Sequence, residues 1–350
     1  MAGRSRLLIL IGVVASLFAA GEAYLGLMGG RRLPGGTTVW ETPVLRHADG
    51  VYAVGYGSDL AFYGPSGKVV GLPDGADDAV VSDEKVYVAA GDLIMGYGPD
   101  GRLLFSVERL PGERLMPCGG LKGILALRPE GSGFGRPWVL RAILDTGGSS
   151  PPVRVPGLPA EGAVYGSLIF VGVRDIAAGG ESFLVCADIE TGEVLWSMSV
   201  GQGHFRCVIP LPGGKVFYAT SEGAGMAASG RVVRSFRVAG PVWAAAWTDG
   251  RAAVSHGAEK NPFVTAFSED GEELWSGRLP SPAHRLVPSG DRLVALCKTH
   301  VVGFSLRDGR REYSFKILDL PLAVEGNLVL FSRGGGAYLL SLDEALADLP

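Results

Sequence analysis

Ala187-Asp188-Ile189-Glu190-Thr191-Gly192-Glu193-Val194-Leu195-Trp196 joins an apolar strand end, a polar turn closed by glycine, and a second apolar strand with an aromatic four residues past that glycine. A small polar residue followed by Gly suits a tight hairpin, because Gly accepts the positive φ such turns need. The same turn stands at Ser66-Gly67, Asp100-Gly101, Thr146-Gly147, Ser229-Gly230, Asp270-Gly271 and Asp308-Gly309, with a mean spacing of about 40 residues. A second family of hairpins alternates with it. These run from Leu45 to Val54 and from Val80 to Val88, then around Gly119-Gly120, Gly166-Ser167, Gly213-Gly214, Asp249-Gly250, Gly290-Asp291 and Gly326-Asn327, eight in all. Their flanks are short and rich in Val, Leu, Ile and Tyr, which favours strands over helices. Two hairpins in each ~40 residues make a four-stranded antiparallel sheet, and its repetition reads as an all-β propeller.

Composition agrees. Of 350 residues, 54 are Gly and 22 are Pro, which means many turns and leaves little room for long helices. With 47% hydrophobic residues, 19% charged residues and a net charge of −4, the chain has ample core material and is neither disordered nor collagen-like. Near-neutral charge without a basic stripe argues against a nucleic-acid partner.

The ends bear on the blade count. The eighth hairpin supplies two strands and Ala337 to Leu342 a third, so the last sheet lacks one strand. Thr37-Thr38-Val39-Trp40-Glu41 is the candidate to complete it, which would remove an exposed edge. The expectation is an eight-bladed β-propeller of four-stranded antiparallel blades with one N-terminal hydrophobic helix. Seven blades is the alternative, because the third repeat leaves through an irregular Pro151-Pro152.

The stretch from Ala187 to Trp196 resembles the tryptophan-docking repeat of the PQQ-like propellers, the quinoprotein alcohol dehydrogenase-like family, whose pattern runs Asp-x-x-Thr-Gly-x-x-x-Trp. Ser268 to Trp275 is a degenerate copy, and Phe105 and Tyr313 occupy the same offset from their turn glycines. The resemblance covers roughly residues 37–343. It implies that Trp40, Phe105, Trp196, Trp275 and Tyr313 are structural docking residues, each ring packed on a neighbouring blade. It does not carry the quinone chemistry across. Members that bind PQQ resemble one another in a vicinal disulfide, a stacking Trp, and acidic and Asn calcium ligands. Here Cys118, Cys186, Cys207 and Cys297 are never adjacent, only Asn261 and Asn327 are asparagines, and there is no Cys-x-x-Cys-His haem motif. No cofactor and no enzymatic activity are expected.

Other chemistry is sparse. The five histidines keep no metal-ligand spacing. His204 and His284 fall on equivalent connectors between blades, just before Arg206 and Arg285, and Arg114 stands at the matching point of another repeat. These five residues are the candidates for a binding site at the mouth of the central channel, with a solvated strand start as the plain alternative. The cysteines, one per repeat and mostly within apolar strands, read as buried free thiols. Glu130 to Arg136, Arg174 to Glu181 and Gly257 to Asn261 look like insertions at one recurring link, between the second and third strands of a blade. Loops on a rigid scaffold are where recognition resides.

Arg4 and Arg6 precede an unbroken apolar run from Leu7 to Ala20, and a weaker stretch continues to Met28. As a signal anchor, Leu7 to Met28 is long enough to span the hydrocarbon; as a signal peptide, it has a basic start and small residues near Gly21. The chain therefore divides into a targeting segment (1–28), a spacer (29–36), the propeller (37–343) and a C-terminal tail (344–350). The expected protein sits at the cell membrane with its propeller outside the cytoplasm, or is secreted after cleavage. It would work as a scaffold for an unknown protein partner. The alternatives are a propeller binding a glycan or peptide, and a propeller enzyme.

Overall fold

The computed structural model describes the backbone of residues 31–32, 44–47, 50–55, 61–63, 69–71, 75–82, 85–98, 101–132, 136–175, 180–316, 320–325, 328–333 and 336–341, and side chains only within 75–316. The targeting segment, Thr37 to Glu41 with Trp40, and the tail lie outside the described residues.

In chain order the strands are β1 (Arg31–Arg32), β2 (Val44–His47), β3 (Gly50–Gly55), β4 (Ala61–Tyr63), β5 (Val69–Gly71), β6 (Ala76–Ser82), β7 (Lys85–Ala90), β8 (Leu93–Tyr97), β9 (Leu103–Glu108), β10 (Arg114–Pro117), β11 (Gly123–Pro129), β12 (Trp138–Leu144), β13 (Val153–Val155), β14 (Leu158–Tyr165), β15 (Leu168–Asp175) and β16 (Glu181–Asp188). They continue as β17 (Val194–Ser199), β18 (Phe205–Leu211), β19 (Lys215–Thr220), β20 (Gly223–Ala228), β21 (Arg231–Phe236), β22 (Val242–Thr248), β23 (Arg251–Ala258), β24 (Asn261–Ser268), β25 (Glu273–Arg278), β26 (Ala283–Ser289), β27 (Arg292–Cys297), β28 (His300–Ser305), β29 (Arg311–Lys316), β30 (Leu320–Glu325), β31 (Leu328–Arg333) and β32 (Gly336–Ser341). From β6 to β29 they form six four-stranded antiparallel sheets of consecutive strands, the arrangement of propeller blades. At the two ends, β2 to β5 pair in the same way, and β1 pairs with β32 in the order β1-β32-β31-β30. The strand beside β32 is thus Arg31–Arg32, inside the segment expected to be a spacer. The free backbone edge of β32 takes the chain several residues earlier than the Thr37 to Glu41 motif suggested.

The core lies between sheets. Five apolar clusters each join two successive sheets: Tyr87 with Ile124, Leu125 with Val171, Phe170 with Val208, Phe217 with Val254, and Ala266 with Leu293. Second strands are covered on both faces, as in β19, where Val216 to Thr220 are all buried. Fourth strands are mostly exposed. Radial stacking explains why the second strands read as unbroken apolar runs without alternation.

Five of the fourth strands, β9, β17, β21, β25 and β29, share one irregularity. Leu104, Leu195, Val233, Leu274 and Glu312 are each an extra residue opposite the third strand, a β-bulge one position before the docking slot. The bulge re-aims the next side chain at the following sheet. Phe105 thereby covers Gly147, Trp196 covers Gly230 and Trp275 covers Gly309. A Cβ at Gly309, whose φ is +70°, would stand 2.5 Å from the Trp275 ring, so this turn requires glycine for both its backbone and its neighbour. The slot tolerates other residues: Arg234 lies over Gly271, and Pro151-Pro152 over Gly192. The irregular proline exit of the third repeat is therefore a docking segment.

One expected insertion is not a loop. Gly257 to Asn261 is the end of a long hairpin, with Gly257 paired to Pro262 and Ala258 to Asn261 around a two-residue turn. The φ of +103° at Gly257 lets strand pairing run on past the usual length.

Candidate functional site

The ring has two unlike ends. One, the connector end, carries the sheet-to-sheet connectors and the links between second and third strands. The other, the turn end, carries the tight first-to-second and third-to-fourth hairpins. At the connector end Glu130, just after β11, forms an ion pair with Arg154 of its own sheet (2.7 Å). The link after β15 is tied through Arg174, whose guanidinium donates to the His204 imidazole of the next sheet.

The five residues proposed for the channel mouth take separate roles. Arg114 opens β10 with an exposed side chain, and His204 precedes β18 and receives Arg174. Arg206 and His284 are bulge residues of β18 and β26. Arg206 Nε donates to the Val242 carbonyl of the next sheet at 3.3 Å. Arg285, next after His284, acts on Glu161 of β14, a strand three sheets earlier. Sequence reasoning found positions on equivalent connectors but missed this acidic counterpart.

Glu161 follows the bulge at Ala160 and borders a cavity of about 580 Å³. The walls are Cys118 to Lys122 after β10, Glu161-Gly162, Cys207 to Ile209, Pro117 and Ser82. All come from first strands or their ends, so the cavity opens along the axis. Burial pushes the Glu161 carboxyl up to about 7, and Arg285 partly offsets that. Burial, with Glu161 adding to it, pushes the Cys118 thiol up to about 12 and also raises Cys207. Neither is a thiolate nucleophile at neutral pH. Cys186 and Cys297 are raised by burial to about 11 and about 12, and all four cysteines are free thiols. Among the described residues, no group of three or more His, Cys, Asp or Glu could hold a metal ion.

Glu113 is the most deeply buried charged residue near this end. Both of its oxygens accept from Arg141, Oε1 from Nε at 2.7 Å and Oε2 from Nη2 at 2.8 Å, while Oε2 also accepts the Leu110 N–H. The arrangement pins the connector between β9 and β10 and is structural.

The expected docking residues within the described part of the chain have a graded burial. Trp275 is 7% exposed and its indole N–H donates to the Leu306 carbonyl of the next sheet at 3.1 Å. Tyr313 is 6% exposed, whereas Phe105 and Trp196 are half-buried.

Residues 180–338 match a family model described as outer membrane protein assembly factor BamB. No curated protein matches the chain in sequence. Among solved structures, the chain is similar to the computationally designed protein Ika8, at 14% identity and TM-score 0.68, covering 89% of this chain and 98% of that one. BamB from Moraxella catarrhalis is similar at 12% identity and TM-score 0.61, covering 89% and 98%. Sqt1 from Saccharomyces cerevisiae is similar at 12% identity and TM-score 0.64, covering 89% and 97%. At these identities the structures speak for the fold, and the family match speaks for the repeat. Over residues 180–338 the chain matches the BamB-like repeat family, and its fold is that of solved β-propellers.

Proposed function

We propose that the protein is a membrane-tethered, extracytoplasmic propeller of eight blades that acts as a non-catalytic protein-interaction scaffold, with the connector end as its recognition face. The count of eight is supported by first strands that lie side by side in succession from β2 to β30, with β30 beside β2 again. Tethering rests on the apolar stretch from Leu7 to Met28; among the described residues no helix is long and apolar enough to cross a membrane. The scaffold reading is carried by the connector-end links, whose bases Glu130 and Arg174 pair with Arg154 and His204 on the sheets. The family description, an assembly factor for membrane proteins, agrees with it. The test is site-specific photocrosslinking in intact membranes. A discrete protein adduct from Arg136 or His204, without one from Asp249 at the turn end, supports the scaffold. Adducts at neither end, or equally at both, reject it.

The axial cavity with Glu161 favours a second reading, a small-ligand propeller. Native mass spectrometry of membrane-extracted protein checks it: a bound molecule lost in Glu161→Gln supports ligand binding.

A further inference from the structure

Among the described residues, exposed large apolar side chains are distributed unevenly. Nine of the eleven stand at the turn end, and only Leu93 and Leu158 at the connector end. Single exposed apolar residues are ordinary and their scatter carries no message. Here they recur at one structural position. The bulge residues Leu104, Leu195, Val233 and Leu274, in four different sheets, are 51%, 52%, 48% and 46% exposed. A bulge leaves its residue out of the ladder, so each projects from the ring where a fourth strand begins.

The chain itself indicates what meets this end. β1 occupies the fourth-strand place of its sheet, and its first residue, Arg31, pairs with Leu339 while Arg32 pairs with Tyr338 further back along β32. β1 therefore enters from the end of β32, which is the turn end, as every other fourth strand does. The apolar stretch from Leu7 stops at Met28, with only Gly29 and Gly30 between it and β1. So short a link brings the hydrophobic segment to the ring at the same end as the projecting leucines and valines.

We propose that the turn end rests on the lipid bilayer, with the apolar bulge residues Leu104, Leu195, Val233 and Leu274 in contact with lipid and the connector end facing away. This rests on the tethered reading above. The turn-end hairpins carry charges of both signs, Glu190, Glu193, Glu269 and Asp270 but also Arg102, Arg231, Arg307 and Arg310, so the contact proposed is the apolar one made by the bulge side chains, without selection for anionic lipid.

The full chain is reconstituted in phosphatidylcholine vesicles with a polarity-sensitive fluorophore on L195C, on V233C as an independent site, or on L158C at the connector end. Circular dichroism confirms folding of each, and flotation reports tethering separately. The expected result is flotation, with several-fold stronger quenching by a lipid-borne nitroxide at 195 and 233 than at 158, unchanged by salt. Flotation with equal quenching at all three sites overturns the orientation while leaving the tether intact. Turn-end labels shielded from an aqueous quencher yet unreached by the lipid nitroxide mean a protein or second copy covers that end, which also overturns it. Failure to float removes the tether and this proposal together.

Discussion

Trp275→Ala tests the joint between successive sheets. The ring is almost fully covered, stacks on Phe304 at 5.9 Å between centroids and lies on Gly309. Burying ~150–250 Å² at ~25 cal/mol/Å² gives roughly 4–6 kcal/mol as an upper bound. Loss of the indole bond to Leu306 adds about 1 kcal/mol, and partial collapse of the cavity takes some back. The expected cost is ~4 kcal/mol, within the range of about 3–5 for deleting a buried Trp. Trp196→Ala, half-buried at the same slot, should cost roughly half as much, ~2 kcal/mol. Urea unfolding of the two variants, followed by far-UV circular dichroism, measures both midpoints, and an unchanged m-value licenses the comparison. Equal losses at 275 and 196 would refute the claim that ring coverage and the indole bond set the strength of each joint.

Glu113→Ala leaves Arg141 buried without its partner and should cost about 3–5 kcal/mol in the same assay, most of it regained in E113L/R141M. Glu161 is raised in the folded state, from an ordinary 4.5 to about 7, so its contribution is complete below ~4.5 and is lost as pH rises toward 7. Glu161→Gln should flatten that slope and be more stable than the parent at pH 8 by ~1–3 kcal/mol, but not at pH 4.5; parallel stability–pH curves would contradict it. A thiol reagent at pH 8 should modify Cys118, Cys186 and Cys297 slowly in the folded protein and all four cysteines at once in urea; fast labelling of the native state would show the thiols to be accessible.

The fold was legible because its punctuation is local. Turn glycines such as Gly192 and Gly309 stand at one period, and the aromatic four residues on marks the strand that follows. The docking slot was legible only where an aromatic fills it. Pro151 and Arg234 do the same job through backbone contact or an aliphatic stem, which no residue-type pattern signals. Glu161 was missed for a related reason. Nothing in its local sequence marks it, and only pairing of β14 with β15 across the bulge places its carboxyl beside the axial cavity. The hydrophobic end was hidden as well, since residues such as Leu104 and Leu195 look like ordinary strand interior until the ladder shows them unpaired.

The pairing of β1 with β32 also bears on biosynthesis. Arg31 meets Leu339, so a ribosome must deliver nearly the whole chain before this sheet is complete. A two-residue strand recovers little through its own hydrogen bonds, so this pairing is expected to form after the sheets between its partners. Until it forms, the nascent protein is an open crescent with an unpaired strand at its trailing end, and this is the interval in which a chaperone or a neighbouring nascent chain could engage it.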